Sequence, residues 1–359
     1  MSIDPDRWEV GSLFHAADFE VRAESRPVPW EDGLLTGCGR DALRLIGTLA
    51  RHPRWWIPSY FCQQVIDAVT DMGIELLVYP DSPLSPRLDL STIDERPGDA
   101  VLVVNYFGLR TAADISIPEG FSAEIIEDHT HAPTSSWARA SNADFCVASL
   151  RKLYPLADGG ALWSPRGHGL PDTPNVTSPL QLAAFEKLMG MLLKRAYLEG
   201  HSIAKEAFRP TLEAGEESLL GPEISAITPL SRATLATFPL AHWEGIQLRN
   251  FKALLRQVPS GQGFRILAPS SDTSVPFSAF CVFDQIEECE RVRAALIANQ
   301  IYASRLWPLD KPILDGVPEE HARLSQRSFS IPIDMRYGLA DVDRVAACLV
   351  DLVRVSHRE

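Results

Sequence analysis

Lysine is scarce in this chain of 359 residues. Only six lysines occur, and Lys152 is the first of them, so arginine supplies nearly all of the positive charge. A lysine that only solubilises the surface would be expected to have other lysines among the first 150 residues. Lys152 follows a short apolar run, Phe145–Ala148, that is typical of a buried strand. Because desolvation lowers the pKa of an amine and frees its lone pair, Lys152 is a candidate for covalent chemistry. The alternative is an ordinary loop lysine.

The chain also lacks several patterns that define other classes of protein. Its six cysteines show no CxxC spacing, so we expect no metal site and no disulfide framework, and reduced cysteines favour a cytoplasmic location. The N-terminus has no signal-peptide pattern, and no apolar run is long enough to span a membrane. A net charge of −13 without a basic stripe argues against nucleic acid and anionic membranes as partners.

Short apolar runs alternate with amphipathic stretches over residues 36–163. This alternation predicts an α/β fold with a mostly parallel central sheet sandwiched by helices. A long helical region follows, and renewed alternation near the end predicts a small C-terminal α+β domain. We therefore expect an N-terminal arm (1–35) laid over another element or a partner subunit, a large domain (36–240), and a linking helix with the small domain (241–359). Ligands of such sheets bind at the carboxyl ends of the strands.

A glycine-rich turn at residues 36–42 opens the first amphipathic helix. Free backbone amides and the helix dipole make such a turn an anion site, so Gly39 and Arg40 are candidate phosphate ligands. The spacing also fits a dinucleotide fingerprint, which requires a preceding strand and an acidic residue after the next strand. Only Leu34-Leu35 precede the turn, and the next apolar run ends in Pro58-Ser59. We therefore reject NAD and retain a phosphate.

Polar side chains follow two predicted buried strands. Asp128 ends one strand, and Ser149 and Lys152 follow another. A buried carboxylate and a buried amine need a shared partner, because each is otherwise a costly buried charge. Pyridoxal phosphate supplies one: its aldehyde takes Lys152 as a Schiff base, its pyridinium nitrogen takes Asp128, and its phosphate takes the glycine turn and Ser149. The alternative is a structural ion pair between Asp128 and Lys152.

The chain resembles the DegT/DnrJ/EryC1/StrS family of sugar aminotransferases, which are fold-type I pyridoxal-phosphate enzymes. The order of the matching segments from about residue 36 to 350, rather than any one of them, carries the resemblance. The segments are GRDAL (39–43), IPSYFC (57–62), VVNYFG (103–108), IIEDHTHA (125–132), SLRK (149–152) with DGG (158–160), IY (301–302) with LWP (306–308), and SIPID (330–334).

The resemblance implies a pyridoxal-phosphate-dependent aminotransferase in which Lys152 forms the Schiff base and moves the proton. Asp128 would hold the pyridine nitrogen, and His131 would contact the ring hydroxyl. Ser149 and the turn at Gly39 and Arg40 would bind the phosphate.

The stacking partner of the cofactor ring is left open by the resemblance. An aromatic side chain from Tyr60-Phe61 would stack on the ring, with Cys62 as a rival for that position. Phe107 is expected in the core.

The resemblance also implies the substrates. The donor would be an amino acid such as glutamate or glutamine, the acceptor a keto sugar or nucleotide sugar in a biosynthetic pathway, and the protein a homodimer. Arg305, Trp307 and Arg336 are candidate substrate contacts, with surface or helix-pairing roles as the alternative.

Two departures from the family pattern predict different substrate handling. Asp158-Gly159-Gly160 replaces the family's Gly-Glu-Gly-Gly, and the Asn-Tyr-Arg segment is missing. Two other functions stay open, a lyase or dehydratase on the same scaffold and a non-catalytic cofactor-binding protein. Lys152 argues against a dehydratase, because the family's dehydratases carry histidine in its place.

Overall fold

The computed structural model describes residues 4–17, 27–261 and 263–355. Its strands are β1 Val10–Gly11, β2 Leu34–Thr36, β3 Arg54–Pro58, β4 Glu75–Tyr79, β5 Leu88–Asp89, β6 Ala100–Val104, β7 Ile115–Ser116, β8 Glu124–Asp128, β9 Phe145–Ala148, β10 Gly160–Trp163, β11 Phe264–Ile266, β12 Ser278–Phe283, β13 Ile301–Tyr302 and β14 Ser328–Pro332. Its α-helices are α1 Gly39–Ala50, α2 Gln63–Thr70, α3 Ser136–Arg139, α4 Ser178–Leu198, α5 Lys205–Ser218, α6 Pro229–Leu235, α7 Leu240–Gln257, α8 Ile286–Ala298, α9 Glu319–Gln326 and α10 Leu339–Val355.

A central sheet has the strand order β2-β10-β9-β8-β6-β3-β4. The five strands from β9 to β4 pair in parallel, whereas β10 runs antiparallel to β9 and β2. Every residue of β6 and β9 is buried, as expected for strands covered on both faces. The predicted mostly parallel sheet is confirmed.

The two faces of the sheet contribute to different hydrophobic cores. On one face, Leu102 of β6 packs in a cluster with Ile46 of α1. On the other face, Val101 and Val103 pack with Trp137 of α3 and the aromatic residues around it. Successive side chains of a strand point to opposite faces of the sheet, and both faces of β6 meet a hydrophobic core. Consecutive residues of β6 must therefore all be apolar.

The strand register brings the predicted site residues to one edge of the sheet. Val104, the last residue of β6, pairs with Asp128, the last residue of β8. Asp128 in turn pairs with Val147, one residue before the end of β9. The loops that follow β6, β8 and β9 therefore leave the sheet side by side.

The C-terminal part contains a second, antiparallel sheet with the order β11-β12-β14. Helices α7, α8 and α10 pack on it around a separate core that includes Leu254, Val292, Phe329 and Leu349. This is the predicted α+β arrangement. Helix α9 was not predicted, because it is short and polar and buries few apolar side chains besides Leu324.

The described part of the N-terminal arm packs against later elements of the same chain. β1 pairs in parallel with β13, and the Ala16 amide donates to the Met191 carbonyl of α4 at 3.1 Å. Glu9 forms ion pairs with Lys194 and Lys205 of α4 and α5. The predicted end of the arm at residue 35 falls inside β2, and residues 18–26 lie outside the described part.

One other local prediction changes in the structure. Residues 34–35, expected to be too short for a buried strand, belong to the short edge strand β2. A single 3-10 turn lies at Leu90–Thr92. The predicted long helical region is the pair α4 and α5, and Gly200, with a φ of 89°, follows the end of α4. No helix of the described residues has the length and apolarity that a membrane crossing requires.

Candidate active site

Lys152 lies in a short helical turn, Leu150–Lys152, directly after β9. It is half-buried and lines two neighbouring cavities. The first, the strand-end cleft, is lined by Cys38, Gly39, Arg40, Leu43, Phe61, Cys62, Val65, Asp128, Thr130, Val147, Ser149, Arg151, Lys152 and Trp307. The second, the large cavity, has a volume of about 440 Å³ and extends toward the antiparallel sheet. The amine is therefore placed between two spaces.

Asp128 is buried at the end of β8 and lines the strand-end cleft. Its Oδ1 accepts a hydrogen bond from the Thr130 amide at 2.8 Å. Burial raises the pKa of this carboxyl, and the Thr130 bonds and the charges of His129 and Lys152 offset that only in part. A cation placed in the cleft would therefore stabilise the carboxylate.

His131 is a buried, neutral imidazole in an aromatic stack. Its ring lies parallel to those of Phe107 and Trp307, with centroids 4.9 and 5.0 Å away. Burial and the charge of Lys152 lower its pKa to about 3. Nδ1 accepts a hydrogen bond from the Phe107 amide at 3.1 Å, so the ring proton is on Nε2. Phe107 is in the core as predicted, with a left-handed φ of 52°.

The glycine turn at the start of α1 packs directly against the lysine segment. A Cβ at Gly39 would lie 3.0 Å from Ser149 Cβ, and one at Gly160 would lie 2.4 Å from the Cys38 carbonyl carbon. Only glycine at Gly160 allows the two backbones to come this close. The first backbone amides of α1 are without helical partners. The turn and Ser149 thus border the same cleft with free donors.

Arg40 adds a further donor beside this turn. Its side chain is buried, and Nη2 donates to the Leu219 carbonyl at 2.8 Å. Its Nε is buried without a hydrogen-bond partner. An orphaned, positively charged donor next to a helix N-terminus fits an anion such as phosphate.

Phe61 and Cys62, but not Tyr60, line the strand-end cleft. Tyr60 is fully buried behind them, and its hydroxyl donates to the Leu306 carbonyl at 3.3 Å. The Trp307 ring also reaches the cleft, with its centroid 5.5 Å from that of Phe61. Of the two aromatic residues left open by the sequence, Phe61 is the one at the cleft.

The structure separates the three predicted substrate contacts. Trp307 lines the cleft, and Arg336 lines the large cavity with both ends of its guanidinium bonded to Asp334 at 2.8 Å. Arg305 lines neither space, because its guanidinium pairs with Glu290 and donates to the Gln326 carbonyl. The prediction for Arg305 is therefore not carried further.

Asp158 has a structural role. Its carboxylate is fully buried and accepts hydrogen bonds from the Thr228 amide and hydroxyl, both at 2.7 Å, and from the Ser231 hydroxyl. Thr228 is the N-cap of α6, with its hydroxyl accepting from the Ser231 amide, so Asp158 fixes the start of that helix. Gly159 has a φ of 138°, which favours glycine. The structure thus gives this segment a packing role, and the expectation that it alters substrate handling stays a prediction.

Several residues that the sequence did not single out also belong to the site. Arg151, Lys187 and Glu216 form a cluster in the wall of the large cavity. Asn105, which follows β6, lines neither cavity, although both polar atoms of its amide are buried without partners. The scarcity of lysine was a usable signal for Lys187, the second lysine of the chain, whereas α5 and Glu216 can be placed only by tertiary structure.

Among the described residues, Glu127, His129 and Cys146 could together offer ligands to a metal. They lie on the other side of β8 from Asp128, because strand side chains alternate. The Glu127 carboxylate already accepts hydrogen bonds from Trp137 Nε1 and Ser141 Oγ at 2.9 and 2.7 Å, and it pairs with His129 Nε2 at 2.8 Å. In this cluster, the Glu127 network, the carboxylate is satisfied by protein groups, whereas His129 Nδ1 is buried without a partner, and we assign no metal to it.

Comparison with known proteins gives a structural answer. No family model and no curated protein matches the sequence. Among solved structures, the chain is similar to the aminotransferase TlmJ from Streptoalloteichus hindustanus, with a TM-score of 0.59, 16% identity, and coverage of 90% of this chain and 86% of that one. The chain has the fold of the aminotransferases.

Two further structures agree with this fold. Spr1654 from Streptococcus pneumoniae, named as a sugar aminotransferase and solved in a PLP form, gives a TM-score of 0.59 at 12% identity and covers 95% of this chain and 93% of its own. DesI, solved with its TDP-sugar product, gives a TM-score of 0.58 at 18% identity and covers 91% of this chain and 83% of its own. The predicted fold is confirmed, and Lys152 and Asp128 lie at the carboxyl edge of its central sheet.

Proposed function

We propose that the protein is a pyridoxal-phosphate-dependent aminotransferase. The observation that carries the proposal is the shared cleft of Asp128 and Lys152, which follow neighbouring parallel strands and interact electrostatically there. Among the described residues they form no direct ion pair, so the structural alternative loses its main support.

The residues of the strand-end cleft fit pyridoxal phosphate. The buried carboxyl of Asp128, with its raised pKa, suits a protonated ring nitrogen. His131 lies in the wall of a neighbouring cavity rather than in the lining of the cleft, and it stacks on Trp307, which does line the cleft. We propose that its Nε2–H faces the ring hydroxylate and that Phe61 covers the ring face. Ser149 and the turn at Gly39, with the orphaned Nε of Arg40, suit the phosphate.

When bound, pyridoxal phosphate supplies an electron sink for a carbanion next to nitrogen. Lys152 then has two tasks, to hold the cofactor through its amine and, once displaced by an amino donor, to carry the proton between carbon atoms. Asp128 keeps the ring nitrogen protonated, and Phe61 and Trp307 restrict water in the cleft.

For the acceptor we propose a keto sugar, carried by a nucleotide, and for the donor an amino acid such as glutamate. DesI, which shares the fold, was solved with a TDP-sugar product. The large cavity beside Lys152, of about 440 Å³, has room for a sugar-sized substrate.

We also propose a homodimer. The outer face of α4 exposes large apolar side chains, with Leu182 at 59% and Phe185 at 61% exposure, and Leu230 of α6, at 56%, lines the same surface hollow as Phe185. Apolar side chains grouped in this way are typical of a protein interface. Analytical ultracentrifugation should find twice the chain mass, and a single-chain mass at micromolar concentration would refute the dimer.

The test of the cofactor is reconstitution. Purified protein should acquire visible absorbance with pyridoxal phosphate, and borohydride reduction should fix the label on Lys152. Lys152→Ala should remove the band, whereas Lys252→Ala, at an exposed lysine of α7, should leave it unchanged. A colourless wild-type protein, or a label on another lysine, would overturn the site.

The test of catalysis is the half-reaction. Incubation with glutamate, or with another amino acid from a full panel, should convert the bound cofactor to its pyridoxamine form and release the keto acid. Retained colour with every amino acid tried would leave a binding protein without transaminase activity.

A further inference from the structure

We propose that Arg151 and Lys187 form a carboxylate-binding subsite in the wall of the large cavity, and that Glu216 occupies this subsite until a substrate carboxylate replaces it. The inference rests on the proposed function in one respect: the substrate is one that reacts at Lys152.

The large cavity carries positive charge in an acidic protein. Among the described residues it is lined by four cationic side chains, Arg151, Lys152, Lys187 and Arg336, and two acidic ones, Glu216 and Asp334. The chain as a whole has a net charge of −13. An anion entering this cavity therefore finds the opposite sign to that of the surface as a whole.

The two acidic groups neutralise this charge unequally. Asp334 and Arg336 form a closed pair, with both ends of the guanidinium on one carboxylate. Glu216 is shared by Arg151 and Lys187, so one positive charge remains there, with Lys152 beside it. The unbalanced charge is next to the reactive amine.

The geometry of the cluster is that of a carboxylate site. Arg151 Nη1 donates to both oxygens of Glu216 at 2.6 and 2.7 Å, and Lys187 Nζ donates to one of them at 2.7 Å. Both oxygens of one carboxylate are therefore engaged by charge-assisted hydrogen bonds from two cations. The side chain of Glu216 thus shows where a carboxylate is held.

The cations are fixed, and the carboxylate is the exposed member. Arg151 and Lys187 are 6% and 5% exposed, whereas the Glu216 side chain is 37% exposed near the end of α5. The Nε of Arg151 is buried without a partner, so the site offers one donor more than Glu216 uses. A substrate carboxylate can take the place of Glu216 while the cations stay.

Repulsion among the cations requires a carboxylate in the subsite. Burial, then Arg151, and also Lys152 lower the pKa of Lys187, the charge of Glu216 opposes them, and the pKa is about 8. A substrate carboxylate in the place of Glu216 supplies the same opposing charge, so Lys187 stays mainly protonated at pH 7.

The test measures binding of 2-oxoglutarate by calorimetry at pH 7, on the protein as purified and after reconstitution with pyridoxal phosphate. Lys187→Met should weaken binding tenfold or more. Glu216→Gln, which keeps the shape of the side chain but removes the competing charge, should tighten binding severalfold. Lys205→Met is the matched control, because Lys205 pairs with Glu9 and lines neither cavity, and its affinity should equal that of wild type.

Thermal unfolding shows that each variant is folded, and Glu216→Gln tests the subsite even where Lys187→Met does not fold. Unchanged affinity in Lys187→Met, or weaker binding in Glu216→Gln, would overturn the proposal. Inorganic pyrophosphate is the second probe. If it binds more tightly than 2-oxoglutarate and this binding is lost in Lys187→Met, the subsite binds phosphate rather than carboxylate and the proposal is overturned. Because binding is read without turnover, a protein that binds 2-oxoglutarate but fails the half-reaction refutes the proposed function and leaves the subsite intact.

Discussion

Substitution of Gly160 by alanine tests how tightly the glycine turn is held against the lysine segment. The added Cβ would lie 2.4 Å from the Cys38 carbonyl carbon, 2.5 Å from its oxygen and 2.7 Å from the Gly39 nitrogen. Ordinary contacts of a Cβ begin near 3.4 Å, so the turn and β10 must separate by ~1 Å. The obstacle is backbone at the start of a helix, which cannot turn aside as a side chain does.

The expected loss has two parts. Overpacking of this kind costs about 1–3 kcal/mol, and we expect the upper end because both sides are backbone. That corresponds to a fall of roughly 5 °C in the unfolding midpoint of a chain of this size. In the proposed site, the displaced amides and Ser149 would also lose their hydrogen bonds to phosphate, each worth ~1.5–3 kcal/mol when charged, so the affinity for pyridoxal phosphate should fall at least tenfold.

The two parts are measured separately. Calorimetric unfolding without cofactor gives the packing cost, and fluorescence titration of the folded variant with pyridoxal phosphate gives the affinity. Gly169→Ala is the control, since a Cβ there meets nothing within 4 Å and both values should match wild type. A Gly160→Ala protein with the unfolding midpoint and the cofactor affinity of wild type would show that close packing of the glycine turn against β10 is not required.

Three further outcomes are expected. Phe61→Leu should weaken binding of pyridoxal phosphate, whereas Tyr60→Phe should cost about 1 kcal/mol of stability and leave binding unchanged in the same titration; equal effects on affinity would contradict the placement of Phe61 at the cleft. Burial raises the pKa of Asp334, but Arg336 outweighs it and the pKa lies below its ordinary value. The stability that this pair contributes is therefore present above the ordinary carboxyl pKa and is lost as pH falls below about 4. The unfolding midpoint of wild type should fall over this pH range by more than that of Asp334→Asn, which lacks the titrating carboxyl. His131→Phe keeps the stack but leaves the Phe107 amide unpaired, so it should lower stability by about 1–3 kcal/mol and shift the visible absorbance of the reconstituted protein; an unchanged spectrum would separate His131 from the cofactor.

The central sheet could be predicted from sequence because its strands are buried on both faces. A strand such as β6, with five consecutive buried residues, is a continuous apolar run, and such runs alternate with amphipathic stretches. The burial of these strands also made the positions of Asp128 and Lys152 predictable. Polar residues at the ends of buried parallel strands must meet at the carboxyl edge of the sheet. These positions follow from local patterns and a general rule of parallel sheets.

The rest of the site depends on contacts between distant segments. Glu216 meets Arg151 only because α5 folds back on α4, a pairing that no local periodicity specifies. The structural role of Asp158 likewise depends on Thr228, which lies 70 residues later in the chain at the start of α6. Arg305 had a plausible neighbour in Trp307, but the backbone at Trp307 has a φ of 55°, and the two side chains end in different surroundings.

The Glu127 network has a consequence for the chemistry on the other side of β8. Glu127 and His129 flank Asp128 in sequence and pair with each other, and Glu127 also accepts hydrogen bonds from Trp137 and Ser141. The strand cannot slide or rotate about its axis without breaking these bonds, so residues outside the cleft help to fix the backbone that carries the Asp128 carboxylate, while the Thr130 amide holds its Oδ1. Variation at Trp137 is therefore a route by which evolution, or a protein engineer, could adjust the basicity of the cleft without changing any residue that lines it.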